Sequence, residues 1–92
     1  MTDYAIHSPN NGELLIKFHD ELVKKGIETD SKWNEQFNPR IGQNYLFIPK
    51  SGEGICFFEI ELTDPDETVR TLTPENFNTV LNEVLQNFGI NV

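Results

Sequence analysis

The chain has 92 residues, of which 15 are acidic and 7 are basic, giving a net charge of −8 and a pI near 4.5. The 28 Leu, Ile, Val and Phe residues suffice for one small core, so we expect a single domain over 1–92. The excess of acids argues against direct binding to nucleic acids or to anionic membranes, because both favour basic surfaces. No apolar run is long enough to span a membrane, the first residues lack a signal-peptide pattern, and there is a single cysteine. We therefore expect a protein of the reducing cytoplasm without disulfides.

The N-terminal quarter predicts a strand and a helix. Asp3 to His7 can add a strand at the edge of a sheet. The helix is predicted at about 10–25, because Asn10 and Glu13 have capping-box spacing and an apolar face follows at helical intervals. Gly26 is suited to the left-handed position that ends a helix.

The connector that follows is the least regular part of the sequence. Asp30 or Ser31 can cap one helical turn that reaches Phe37, and Pro39 must end this turn. Trp33, the only tryptophan, has two interpretations: a core plug beneath the connector, which is the more frequent case, or an exposed anchor for a partner.

Three strands are predicted next, at 44–48, 55–62 and 68–72, because these stretches are rich in aromatic and β-branched residues. Side chains alternate between the two faces of a strand. One face of the second strand then has Cys56, Phe58, Ile60 and Leu62, and the other has Phe57, Glu59 and Glu61. We expect the helices to cover the Cys56–Leu62 face.

The last helix is predicted from Thr73, as N-cap, to Gly89. Its apolar stripe comprises Phe77, Val80, Leu81, Val84, Leu85 and Phe88. The predicted fold is thus α+β with the order α-β-β-β-α: an antiparallel meander of about three strands with two amphipathic helices packed on one face. The other face of the sheet is then available to a partner.

The negative charge is concentrated in the second half of the chain. Residues 1–50 have a net charge of −1, and residues 51–92 have a net charge of −7. Six acids and no base lie within 53–67, namely Glu53, Glu59, Glu61, Asp64, Asp66 and Glu67. Because alternate residues of a strand point the same way, these acids are expected to form an acidic strip at intervals of a few ångströms. Such spacing is close to that of DNA phosphates, about 3.4 Å along each strand, so the strip predicts binding to a basic protein surface.

In size, charge and acidic surface, the chain resembles small phage-encoded DNA-mimic proteins, such as anti-restriction proteins. The resemblance implies a non-enzymatic inhibitor that occludes the nucleic-acid-binding groove of a host protein. It also implies a homodimer, which would lengthen the acidic strip.

Several alternatives stay open. The acids can serve solubility alone, or the chain can be an interaction module with an apolar contact built on Phe57, Trp33 or the rim of the last helix. Cys56 is expected to be a buried thiol of raised pKa rather than a nucleophile, and His19 a partly buried boundary residue rather than a catalytic one. The sequence has neither zinc nor EF-hand spacing, so we expect no metal. It does not point to a cleft with shifted pKa values, so we also expect no catalytic residue and no cofactor.

Overall fold

Four strands and three helices make up the described part of the chain, which in this computed structural model comprises residues 2–9, 11–36, 43–58 and 67–90. In chain order these elements are β1 (Asp3–Pro9), α1 (Gly12–Lys24), α2 (Ser31–Asn34), β2 (Gln43–Ile48), β3 (Cys56–Phe58), β4 (Glu67–Thr71) and α3 (Phe77–Asn87). The strands form one mixed sheet with the order β3–β2–β1–β4. The predicted α+β class is confirmed, although the strands are arranged differently.

The N-terminal segment, predicted as an edge strand, is a central strand of the sheet. β1 pairs in antiparallel orientation with β2, where Ile6 lies opposite Leu46. On its other side β1 pairs in parallel with β4, where Ile6 lies opposite Arg70. Ile6 is fully buried and Ala5, which points to the opposite face, is only 2% exposed. Such burial is typical of a strand that has a neighbouring strand on each side.

The predicted meander is wrong in its last step. β2 and β3 form the expected antiparallel pair, but β4 lies beside β1 and not beside β3. The prediction took consecutive strands to be neighbours, which is the commoner arrangement. Here β1 lies between β2 and β4, so β4 does not follow β3 in the sheet. β3 and β4 lie on opposite edges of the sheet. Because neighbouring strands are about 4.8 Å apart, these two edges are separated by about 14 Å.

The first helix begins and ends through local hydrogen bonds. The Asn11 side chain caps α1 by accepting a hydrogen bond from the Leu14 N–H at 3.1 Å. The predicted cap, Asn10, lies outside the described residues. At the other end, Gly26 has a φ of 95° and the Ile27 N–H donates to the Leu22 carbonyl at 3.1 Å. This is a Schellman ending, and it confirms the predicted role of Gly26.

The last helix begins three residues later than its predicted first position, Pro74. The Thr73 N–H donates to the Asn76 side chain at 2.7 Å, and the Asn76 N–H donates to the Thr73 hydroxyl at 3.2 Å. These reciprocal bonds hold 74–76 in a turn, and Phe77 is the first residue of α3. Gly89, with a φ of 72°, follows the helix as predicted.

The two long helices, α1 and α3, pack on one side of the sheet, as predicted. The core contains α1 and α3 side chains together with alternate residues of the strands, and its members from the sheet are Tyr4, Ile6, Leu46, Ile48 and Phe57. Phe18 of α1 and Phe77 of α3 meet edge to face, with 5.6 Å between ring centroids. Among the described residues, no helix has the length and hydropathy needed to cross a membrane.

The face predicted for the core is the wrong one in β3. Phe57 is buried in the core, whereas Cys56 and Phe58 are partly exposed on the opposite face. The register explains this, because Phe57 lies opposite Leu46, which faces α1, and directly paired residues share a face. The premise that Phe57 belongs to an open face with Glu59 and Glu61 is therefore wrong, and both glutamates lie outside the described residues.

Candidate partner-binding surface

The segment before α2 lies along the outer edge of β3. The Glu28 carbonyl accepts hydrogen bonds from the Gly54 and Ile55 N–H groups at 3.0 and 2.9 Å. The Asp30 N–H then donates to the Ile55 carbonyl at 3.0 Å, and Thr29 forms a parallel bridge with Ile55. The edge of the sheet is thus extended by a short stretch of backbone before α2 begins.

Beyond this stretch, two side chains take the place of a neighbouring strand. The Asn34 side chain accepts a hydrogen bond from the Phe57 N–H at 3.0 Å and donates one to the Ile55 carbonyl at 3.2 Å. The Trp33 indole N–H donates to the Phe57 carbonyl at 2.7 Å. An edge strand with unbonded N–H and C=O groups can pair with another chain, so these contacts close a surface that would otherwise favour association.

Trp33 is exposed, which overturns its interpretation as a core plug. The residue is 53% exposed, although its indole N–H is bonded to the sheet. Its ring lies 6.0 Å from that of Phe58, and the Phe58 ring lies 6.0 Å from that of Phe47. These three residues form an aromatic row that leads from α2 across the face of the sheet opposite the helices. The exposed end of the row is the indole of Trp33.

Four exposed carboxylates belong to residues 28–35 and to the turn before β3, which are bonded to each other, and we refer to Glu28, Asp30, Glu35 and Glu53 as the acidic rim. Asp30 caps α2, since its side chain accepts a hydrogen bond from the Trp33 N–H at 3.1 Å. Glu53 lies in the turn before β3, between two glycines whose backbones bond to Glu28. Within the described ranges, no basic group forms an ion pair with any of the four rim carboxylates.

Only two of the six acids in the predicted strip lie within the described residues. Glu53 is exposed beside the β3 edge, whereas Glu67 begins β4 at the opposite edge of the sheet. The other four members, Glu59, Glu61, Asp64 and Asp66, lie outside the described residues.

Cys56 has the properties expected of a structural thiol. Burial, and secondarily the nearby Asp30 carboxylate, raise its pKa to about 11. The thiol is therefore protonated at neutral pH, and only the thiolate is a strong nucleophile. The predicted rise in its pKa is confirmed.

His19 links α1 to the β3 edge. Its side chain is 14% exposed, so the predicted partly buried position is confirmed. One ring nitrogen lies 3.0 Å from an Asp20 carboxylate oxygen, and the other lies 2.7 Å from the Thr29 hydroxyl, which also accepts a hydrogen bond from Asn34. Both ring nitrogens thus have a polar partner. Because Asn34 also bonds to the sheet, this series of hydrogen bonds connects α2, which contains Trp33, to α1 and to β3.

Sequence reasoning missed Thr29 and Asn34, whose side chains make the hydrogen bonds between His19, α2 and β3. The available signal was an asparagine within a predicted helical turn, where its side chain commonly bonds to backbone groups. Within the described part of the chain, no three His, Cys, Asp or Glu residues are grouped so as to hold a metal ion.

A separate groove of about 410 Å³ lies between α1 and α3. Its lining is Leu14, Lys17, Glu21, Pro74, Phe77, Asn78 and Leu81. The Lys17 ammonium lies 5.2 Å from the centre of the Phe77 ring. The groove is open, and it includes neither Trp33 nor any member of the acidic rim.

Comparisons with models of protein families, with curated proteins and with solved structures found no match for this chain.

Proposed function

We propose that the protein is a non-enzymatic inhibitor or regulator, which binds a basic surface of a partner protein through Trp33 and the acidic rim. The observation that carries the proposal is an exposed indole, held in one orientation by the bond to Phe57, at a sheet edge whose rim carboxylates form no ion pair in the described ranges. Tryptophan is among the residues that most often dominate binding energy at protein interfaces.

The physical arrangement favours binding over catalysis. The indole N–H and the Trp33 backbone N–H are both bonded within the protein, so little conformational freedom remains to be lost on association. The carboxylates attract a basic partner over several ångströms, which accelerates encounter at low ionic strength. The mechanism in this proposal is competitive occlusion: the bound protein covers the basic surface of its partner.

DNA mimicry is one form of this function, and it keeps the acidic strip as its predicted contact. In that form the partner is a DNA-binding or restriction enzyme of a phage host, the setting is the cytoplasm, and a homodimer extends the row of carboxylates. The overall charge of −8 supports this form. It differs from the rim proposal in one measurable respect, since duplex DNA should compete for the same site on the partner.

Three double variants of equal net charge separate these forms. Glu35→Lys with Glu53→Lys changes the rim, Glu59→Lys with Glu61→Lys changes the strip, and Glu13→Lys with Glu75→Lys is the control elsewhere on the surface. Each pair changes the net charge from −8 to −4. Immobilised wild-type protein first captures the partner from cells that naturally contain it, and the affinity of each variant for the purified partner is then measured.

We expect the rim variant to bind at least about tenfold more weakly and the control to change little, because close charge pairs are worth more than distant ones. Binding of the wild type should weaken as salt is raised. Equal losses in all three variants would mean that only the bulk charge matters and would refute a specific surface. Loss in the strip variant alone, with displacement by duplex DNA, would favour mimicry over the rim.

A second candidate function is an interaction module whose contact is apolar. The exposed aromatic row favours it, although Phe57 itself is buried and leaves the contact to Trp33 and Phe58. Binding of this kind should persist at high salt and be lost on replacing Trp33, while the three charge variants bind normally.

A further inference from the structure

The proposed function leaves open which chemical group of the partner meets Trp33, and the geometry around the indole bears on this. The polar edge of the ring is directed to the Phe57 carbonyl, at 2.7 Å, and the ring also packs beside Phe58. With 53% of the residue exposed, the surface left to a partner is the carbon framework of the indole. An aromatic face attracts cations through its quadrupole, and tryptophan does so most strongly of the aromatic side chains.

A carboxylate is fixed at the backbone of Trp33. Asp30 is held there because its side chain accepts the Trp33 backbone N–H at 3.1 Å, and it remains exposed. Cys56, on the face of β3 that carries the aromatic row, has its pKa raised partly by Asp30, so the field of this carboxylate reaches that face. Lys32 is the one base within 28–36, and its ammonium is exposed on a long stem that can turn away from an incoming cation.

We propose that Trp33 and Asp30 recognise an arginine side chain of the partner protein, an inference that rests on the proposed function. A guanidinium is planar, stacks on an indole and donates paired hydrogen bonds to a carboxylate. An ammonium is compact and strongly hydrated, so lysine gains less from the same pair of groups. The acidic rim attracts a basic segment of either kind, and the indole selects arginine within it.

The single tryptophan makes this selection directly observable. The probes are two peptides with blocked ends, Ac-Gly-Arg-Gly-Arg-Gly-Arg-NH2 and the same peptide with lysine in place of arginine. Fluorescence and the NMR signal of the indole N–H both report on Trp33 alone, since the chain has no other tryptophan. We expect the arginine peptide to bind about threefold to fivefold more tightly and to shift the indole signal more strongly.

Two variants assign the preference to its residues. Trp33→Leu should bind both peptides equally and weakly, as followed by backbone NMR signals. Asp30→Asn retains the helix cap, because asparagine caps as well as aspartate, and should weaken arginine binding severalfold. Val69→Ala, which alters an exposed apolar residue on β4, and Glu75→Gln, which removes one exposed charge elsewhere, are the matched controls and should leave both affinities unchanged.

Equal affinity of the wild type for the two peptides would overturn the arginine inference without touching the proposed function, provided that both still bind in a salt-sensitive way. A preference for arginine that survives Trp33→Leu would place the selecting group elsewhere and would also overturn it. The wild-type comparison needs no variant, so the inference remains testable if Trp33→Leu does not fold. Failure of the proposed function is recognised separately, by a purified partner whose binding is indifferent to the rim variant.

Discussion

At the residue scale, single side chains in this protein have properties that differ sharply from those of their sequence neighbours. Cys56 and Phe57 are adjacent, yet one is a partly exposed thiol outside the core and the other is buried in it. Trp33 combines a satisfied polar group with a largely exposed ring. The proposed function depends on this combination, because a binding anchor must be both accessible and fixed.

The raised pKa of Cys56 predicts a specific dependence of stability on pH. The pKa is about 11 in the folded protein against 9.0 for an ordinary thiol, so between these values the folded state binds more protons than the unfolded state. The free energy of unfolding should therefore be unaffected by this group below pH 9 and should fall as the pH rises from 9 to 11. Urea unfolding at a series of pH values measures the effect.

Cys56→Ala is the control for this pH dependence. Tyr4 also has a raised pKa, because of burial and of the nearby Glu83, and it contributes its own loss above pH 10. The difference between wild type and Cys56→Ala isolates the thiol. Parallel curves for the two proteins would show that the thiol titrates normally and that its surroundings are more open than described.

At the element scale, the main feature is an edge strand closed by side chains. The outward N–H and C=O groups of Phe57 are bonded to Asn34 and Trp33, and the residues just before β3 are bonded to the backbone of 28–30. Among the described residues, no further strand pairs with β3 at this edge. On the opposite edge, the Thr71 carbonyl accepts a hydrogen bond from the Asn76 side chain. Asparagine side chains thus bond to the outer strand at each end of the sheet.

Replacing Asn34 tests the closure of the β3 edge. Asn34→Ala removes the acceptor that this side chain supplies to the Phe57 N–H, and it should lower the free energy of unfolding by about 1–3 kcal/mol. Amide exchange at Phe57 should accelerate, and the protein should associate more readily at high concentration. Gln36→Ala, at a nearby exposed position, is the control. Unchanged exchange at Phe57 in the Asn34 variant would show that the side chain does not protect this edge.

At the scale of the whole molecule, one small core holds two helices against one face of the sheet. The position of β1 at the centre allows both α1 and α3 to cover that face, and it separates β3 from β4. Acids that are close in sequence, such as Glu53 and Glu67, are consequently on opposite edges. The surface that we propose, Trp33 with the acidic rim, lies at the β3 edge of the sheet.

The orientation of the whole sheet can be tested with two neighbouring phenylalanines. Phe57→Ala removes a core side chain and should cost about 3–5 kcal/mol, whereas Phe58→Ala on the opposite face should cost clearly less. Denaturant unfolding measures both. The sequence-based assignment of the faces predicts the reverse order, so the pair of variants decides between the two orientations.

The helices could be predicted from the sequence more accurately than the sheet, and the reason is physical. The ends of α1 and the end of α3 depend on Asn11, Gly26 and Gly89, whose bonds reach only a few residues along the chain, and a local pattern reveals them to within a few positions. The start of α3 was missed because Asn76 makes a competing turn with Thr73. The faces of β3 were missed because apolar residues lie on both sides of it.

The candidate surface was predictable only in part. An exposed Trp33 and an acidic Glu53 were both considered from sequence, as separate hypotheses, and the structure places them beside the same strand edge. Nothing in the sequence could join them, because the contact requires residues 28–34 to lie along a strand that begins more than twenty positions later. Asn34 and Thr29 acquire their roles only through that contact.

The sequence by itself determined the α+β class, the two long helices with their glycine endings, and the strong excess of negative charge. These properties follow from composition and from interactions over a few residues, which any conformation of the surrounding chain leaves intact. The tertiary structure alone decided that β1 is central, that Phe57 faces the core and that Trp33 is exposed at the β3 edge. Each of these depends on pairing between segments distant in sequence, where the burial of one face of the whole sheet outweighs any local preference.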